Sequence, residues 1–159
     1  MRKYLKWVAL ALTLVWCLFI WQFSLADAEA STQTSNGVLE SVNQVLEKIN
    51  PNLEITGEEI RNSAHFGEFA VLGALLALTL WLFGFPHVTP FSLLAGAVVA
   101  GVDECLQFFS PGRSPQLLDV LIDTAGALCG VLGFLALYYI VLAIVKKKEE
   151  KAKNNSKTS

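Results

Sequence analysis

Two groups of ionisable side chains interrupt an otherwise apolar chain. The first is Arg61, His65 and Glu68; the second is Asp103, Glu104 and Gln107, followed by Arg113, Asp119 and Asp123. His65 and Glu68 stand three apart, which puts an imidazole and a carboxylate on one helix face. Beside an Asp and a Glu from other segments they form an adequate set for a hard divalent cation, with His65 or Glu68 as general base and Asp103 and Glu104 as further catalytic candidates. Arg113 offers a planar fork for phosphate or carboxylate. Nothing in the spacing assigns a metal or cofactor. A Gly-rich phosphate loop, a zinc-protease helix motif and a nucleophile elbow are all missing from the sequence.

These residues are costly where they stand. An ionised side chain at the centre of a bilayer costs roughly 2.5 to 3.5 kcal/mol on insertion scales, so four unpaired acids would cost about 10 to 14 kcal/mol. Arg61, His65 and Arg113 supply at most three positive charges against Glu68, Asp103, Glu104, Asp119 and Asp123. Some of the acids must therefore be protonated or accompanied by a cation.

The elements that would position them are membrane helices. The 159 residues are 53% hydrophobic with a mean hydropathy of +0.49, and the charges cluster in a few places. Cys17, Cys105 and Cys129 lie within apolar runs without metal-ligand spacing and read as small buried residues. After a basic start at residues 1–6, an apolar run over 7–25 is long enough for a first span. A cleaved signal peptide competes with it, but the run exceeds the usual h-region, which favours a retained anchor.

Residues 26–62 form an acidic loop. Its Ser, Thr, Gln and Asn-rich start reads as a connector, and an amphipathic helix over 36–49 presents Val38, Leu39, Val42, Val45, Leu46 and Ile49 on one face. That helix is poor in Lys and Arg, so a lid packed on the protein suits it better than a lipid-seeking surface helix. Thr56 and Glu59 have capping-box spacing. Three further spans follow at about 63–85, 90–109 and 116–145, separated by Gly84-Phe85-Pro86 and by Ser110-Pro111-Gly112. Residues 146–159 read as a basic, disordered tail.

The fold class is therefore all-α: a polytopic four-helix membrane bundle with a short amphipathic helix in the first loop. The positive-inside rule places both termini in the cytoplasm and the acidic loop outside. Three helices then deliver their polar groups to the extracytoplasmic leaflet. Asp119, Asp123, Gly126 and Gly130 share a face, which turns both aspartates into the bundle, and Gly96, Ala97, Ala100 and Gly101 make a second small-residue surface.

IRNSAHFGEFAVLGALL followed by DECLQFFSPGRSPQLLDVLIDTAGALCG resembles the VanZ-like family of bacterial membrane proteins. The first motif is a basic residue before His-Phe and an acid-aromatic pair, here Arg61, His65, Phe66, Glu68 and Phe69. The second is Asp103, Glu104, Gln107, Phe109, Pro111, Gly112, Arg113, Asp119, Thr124 and Gly126. Two positions depart from the pattern: Phe69 stands where Tyr is usual, and Asp123 where Asn is usual. The resemblance covers a core of about residues 60–145. It implies an association with low-level resistance to teicoplanin-type glycopeptides in the Gram-positive cell envelope.

Three roles for the polar cluster follow. It binds an amphiphile, such as a lipid-linked cell-wall precursor or a lipoglycopeptide, with Arg113 on the head and Phe66, Phe69, Phe108 and Phe109 as apolar walls. Alternatively it is a metal-assisted hydrolase or transferase site on such a precursor, or an ion-pair network that only fixes helix register. A transporter would need several copies, because four spans in one chain are few and do not repeat. The expected partners are membrane lipids and possible copies of the chain; the lysine tail suits anionic headgroups rather than nucleic acid. N-terminal sequencing of the mature protein checks the anchor: the expected product keeps residues 2–25, and a start near Ala28 or Ala30 would establish cleavage.

Overall fold

The computed structural model describes residues 2–25, 28–49, 55–109 and 116–157, which form five helices and, among these residues, no strand. They are α1 (Arg2–Ser24), α2 (Ala28–Ile49), α3 (Gly57–Phe83), α4 (Val88–Gln107) and α5 (Leu117–Lys157). All but α2 are long and apolar enough to cross a membrane. The expected turn at Ser110-Pro111-Gly112 and Arg113 lie outside the described residues.

Local chemistry explains where α3 starts and stops. The Thr56 hydroxyl accepts from the Glu59 backbone N–H at 3.3 Å, and a Glu59 carboxylate oxygen accepts from the Thr56 backbone N–H at 2.8 Å. This reciprocal capping box satisfies two donors that a helix start leaves without partners. At the far end Gly84 takes the left-handed region at φ 77, and the Gly84 and Phe85 N–H groups donate to the carbonyls of Trp81 and Leu80. That pairing is the Schellman motif, and it reverses the chain within a few residues. His87 caps α4 with φ 56, and Pro90 sits in the first turn, where no N–H is needed.

Two helices are longer than periodicity predicts. α2 begins at Ala28, so the expected connector over 28–35 is helical; Ala28, Glu29 and Ala30 are compatible with a first turn, and Ser and Thr are tolerated beyond it. α5 continues through the expected disordered tail to Lys157. Its end is Lys, Glu and Ala, all strong helix formers, and Glu149 and Lys153 have the favourable i, i+4 order. At 1.5 Å per residue α5 is about 60 Å long, twice a hydrocarbon core, so its lysine-rich end must project beyond one.

α3 and α5 make the closest contact in the bundle. A Cβ on Gly73 would overlap the Ala127 carbonyl, one on Gly126 the Phe66 carbonyl, and one on Gly130 the Ala70 carbonyl. Small residues are what allow two helix backbones to approach this far. On α4, Gly96 meets the Ala127 methyl and Ala100 is fully buried, whereas Gly101 faces open space. Between them lies a small core of Ile20, Phe69, Leu72 and Ala100, with Cys17 at its edge. Cys105 and Cys129 depart from expectation, because both are exposed on the outer face of their helices. Thr13 and Thr79 share a 2.9 Å hydroxyl contact that joins α1 to α3.

α2 contacts α3, although Val45 of its apolar stripe is exposed. The Asn43 amide anchors it, donating to the Ile55 carbonyl at 3.1 Å and accepting from the Ile55 N–H at 3.0 Å.

Gly130→Val therefore destabilises the bundle by about 1–3 kcal/mol or more through overpacking. Gly133→Ala, whose added methyl meets nothing, stabilises by about 0.5–1 kcal/mol through helix propensity. Thermal unfolding of the two purified variants in one detergent compares them.

Candidate functional site

All four long helices contribute to one end of the bundle. α1 brings Ser24, α3 brings Arg61 and His65, α4 brings Asp103 and Gln107, and α5 brings Asp119 and Asp123. The opposite end is marked by the edge contact of Trp7 with Phe83, with the Lys6 ammonium 5.0 Å from the Phe83 ring centre. The 1.5 Å rise puts Asp103, Asp123 and His65 roughly 6 to 12 Å inside their helix ends. That is deep enough to be shielded by neighbouring helices.

Asp103 sits at the centre and is fully buried. Its Oδ1 accepts from the Ser24 hydroxyl at 2.5 Å, and its Oδ2 accepts from the Gln107 amide at 3.0 Å. The second bond links residues one turn apart on α4, and the first ties α4 to α1. Ser24 was invisible to motif reasoning, since it is an ordinary polar residue at the end of an apolar run. Its only sequence signal is position: it is the last residue of α1 at the end where the acids gather.

Asp123 is 2% exposed, and its Oδ1 lies 3.9 Å from His65 Nδ1, beyond hydrogen-bond reach. That oxygen accepts no hydrogen bond among the described residues. Asp103, Asp119, Glu104 and Glu68 all lie close enough to repel it. One ligand atom each from His65, Asp103 and Asp123 can be chosen so that all three fall within 4.8 Å of one another. Among the described residues this trio is a set that could hold a cation, and Glu68 does not belong to it.

The remaining candidates form a looser rim. Arg61 Nη2 lies 3.4 Å from Asp119 Oδ2, with both side chains partly exposed, so the pair adds about 1 kcal/mol at most. Glu104 accepts from the Gln116 backbone N–H just ahead of α5. Glu68 is half-buried on the His65 side of α3, and its backbone carbonyl accepts from the Trp16 indole at 2.9 Å. Arg113 lies outside the described residues. Of the expected apolar walls, Phe66 lines a groove with Ile55, Ile60 and Ile122, while Phe108 and Phe109 line a shallow one with Glu104 and Cys105. Phe69 does not belong to any wall: it is fully buried against Leu72 in the core. Its position one residue past Glu68 rotates it away from the polar face and toward the helix packing.

Exposed apolar side chains lie at this end, as they do along the outer face of the whole bundle. Phe108 is 68% exposed, Phe109 76% and Leu117 80%, in the same turns that carry Glu104 and Asp119. Polar interior and apolar exterior thus meet within one helical turn, which suits a head-and-tail ligand or the boundary of a bilayer.

The model of the VanZ/LLP1 family matches residues 9–142. No curated protein and no solved structure matches the chain.

Ser24→Ala leaves Asp103 short of one donor to a buried carboxylate, and it costs about 1.5–3 kcal/mol of stability. Ser63→Ala, on an exposed stretch of α3, costs less than about 0.5 kcal/mol. Unfolding of both variants in detergent provides the comparison.

Proposed function

The chain belongs to the VanZ/LLP1 family, and on that premise we propose that this membrane protein serves the cell envelope by holding the head of an amphiphile at its polar end. The observation that carries this reading is the Asp103–Asp123–His65 cluster buried among four helices and ringed by exposed Phe108, Phe109 and Leu117. A purely apolar lipid site has no need of the cluster, and the exposed Phe108, Phe109 and Leu117 place apolar surface beside it for a ligand's tail. The ligand class is a lipid-linked envelope precursor or a lipoglycopeptide of the teicoplanin type. Arg113 and Arg61 supply the cationic contacts for its head, and the grooves beside Phe66 and Phe108 take its apolar part.

The basic residues at both ends favour an orientation with the termini in the cytoplasm, so that the polar end meets its ligand in the outer leaflet. A second reading, in which the cluster only braces the bundle, is favoured by the bonds from Ser24 and Gln107 to Asp103. Expression separates the two.

Alanine variants at His65, Glu68, Asp103, Glu104, Arg113 and Asp119, together with Arg113→Lys, are compared for teicoplanin susceptibility at matched membrane levels. Ligand binding predicts that Arg113→Lys and at least the rim variants Glu104→Ala and Asp119→Ala reach normal levels yet lose protection. Full function in every variant would remove the cluster from the mechanism. Uniformly poor expression would leave bracing as its role.

A further inference from the structure

We propose that His65, Asp103 and Asp123 bind a single divalent cation of the Zn2+ or Mn2+ class in the interior of the bundle. Their ligand atoms come from α3, α4 and α5 and fall within 4.8 Å of one another. Proximity of acids alone would not make a site. What points to a missing positive charge is Asp123: it is 2% exposed, its Oδ1 faces His65 at 3.9 Å, and that oxygen has no hydrogen-bond donor among the described residues. Arg61 pairs with Asp119 instead, and four carboxylates, Asp119 among them, repel Asp123. A carboxyl group buried in that setting must either take up a proton or gain a compensating cation, and no donor among the described residues meets its Oδ1.

The donor set selects the class. One imidazole with two carboxylates suits Zn2+ or Mn2+, whereas Ca2+ prefers six to eight oxygen ligands and Mg2+ a largely hydrated shell. A cation bound at about 2.0 to 2.2 Å needs neighbouring donors roughly 3 to 3.6 Å apart, so closing the present arrangement takes about 1 to 2 Å of side-chain movement. Asp103 is already oriented for the task, because Ser24 and Gln107 hold its two oxygens as outer-shell partners hold a metal-bound carboxylate. Water or a ligand oxygen would complete the coordination.

This site stands on the fold and does not require the amphiphile reading. The test uses the full chain in lipid nanodiscs, stripped with a chelator and titrated with Mn2+ followed by electron paramagnetic resonance, and with Zn2+ followed by calorimetry. The wild-type protein is expected to take up one cation per chain and to melt at a higher temperature when loaded. Asp123→Asn removes the charge but no hydrogen bond that Oδ1 makes, and it should weaken binding about 100-fold or more, the upper end of what losing even an outer-shell partner costs. Its melting temperature should not respond to the cation. If Asp123→Asn fails to reach the membrane, His65→Gln serves with the same expected loss.

Folded wild-type protein that takes up neither Mn2+ nor Zn2+, or variants that bind as the wild type does, would overturn the proposal. So would a preference for Ca2+ or Mg2+. Cation binding that survives in Arg113→Lys while protection is lost, or the reverse, tells the fate of this site from that of the amphiphile reading.

Discussion

Burying the Asp103 carboxylate is the constraint to which the rest of the bundle answers. A carboxylate taken out of water without partners costs several kcal/mol, more than most single contacts in a fold return. The chain meets that cost with donors from two helices, Ser24 at the end of α1 and Gln107 one turn along α4. The first of these bonds specifies where α1 stops relative to α4, because a hydroxyl must arrive at one oxygen within about 3 Å. Apolar packing alone specifies no such register, since lipid-facing and helix-facing Leu are nearly equivalent in a membrane.

The second determinant is the contact between α3 and α5. Gly126 lies three residues after Asp123, and the backbone it touches is that of Phe66, the neighbour of His65. The approach permitted by Gly126 therefore sets how near Asp123 comes to His65. Gly73 against Ala127 and Gly130 against Ala70 repeat the contact along the same seam and prevent the two helices from sliding. Chemistry at the polar end is thus registered by residues that carry none. Phe69, fully buried in the core, fills the space just inside this contact, which is why an aromatic ring there packs and does not line a pocket.

Much of this was legible in the sequence, and for identifiable reasons. The spans, the Thr56–Glu59 cap and the Gly84 stop are local features, written in residues that interact within a few positions of one another. The shared face of Asp119, Asp123, Gly126 and Gly130 follows from helical spacing alone. What could not be read are facts of rotation and of long-range pairing. Cys105 and Cys129 sit in apolar runs that look like core, yet a membrane helix is apolar on its outer face too, so composition cannot tell inside from outside. Ser24 and Asp103 are separated by most of the chain, and no spacing rule joins them. The helical tail of α5 was obscured because a Lys and Glu-rich run reads equally well as a solvated helix or as a charged coil.

The two buried aspartates are not equivalent, and the difference separates bracing from function. Removing Asp103 would break the bonds from Ser24 and Gln107, so any loss of activity there is confounded with loss of fold. Asp123 Oδ1 accepts no hydrogen bond among the described residues, so the fold gains no bond through that oxygen. At the point where three helices converge, a buried oxygen without a donor does less to hold the helices together than the doubly bonded Asp103 carboxylate does. Structural economy would have placed an apolar side chain there, as it did at Ala127 and Val131 further along the same helix.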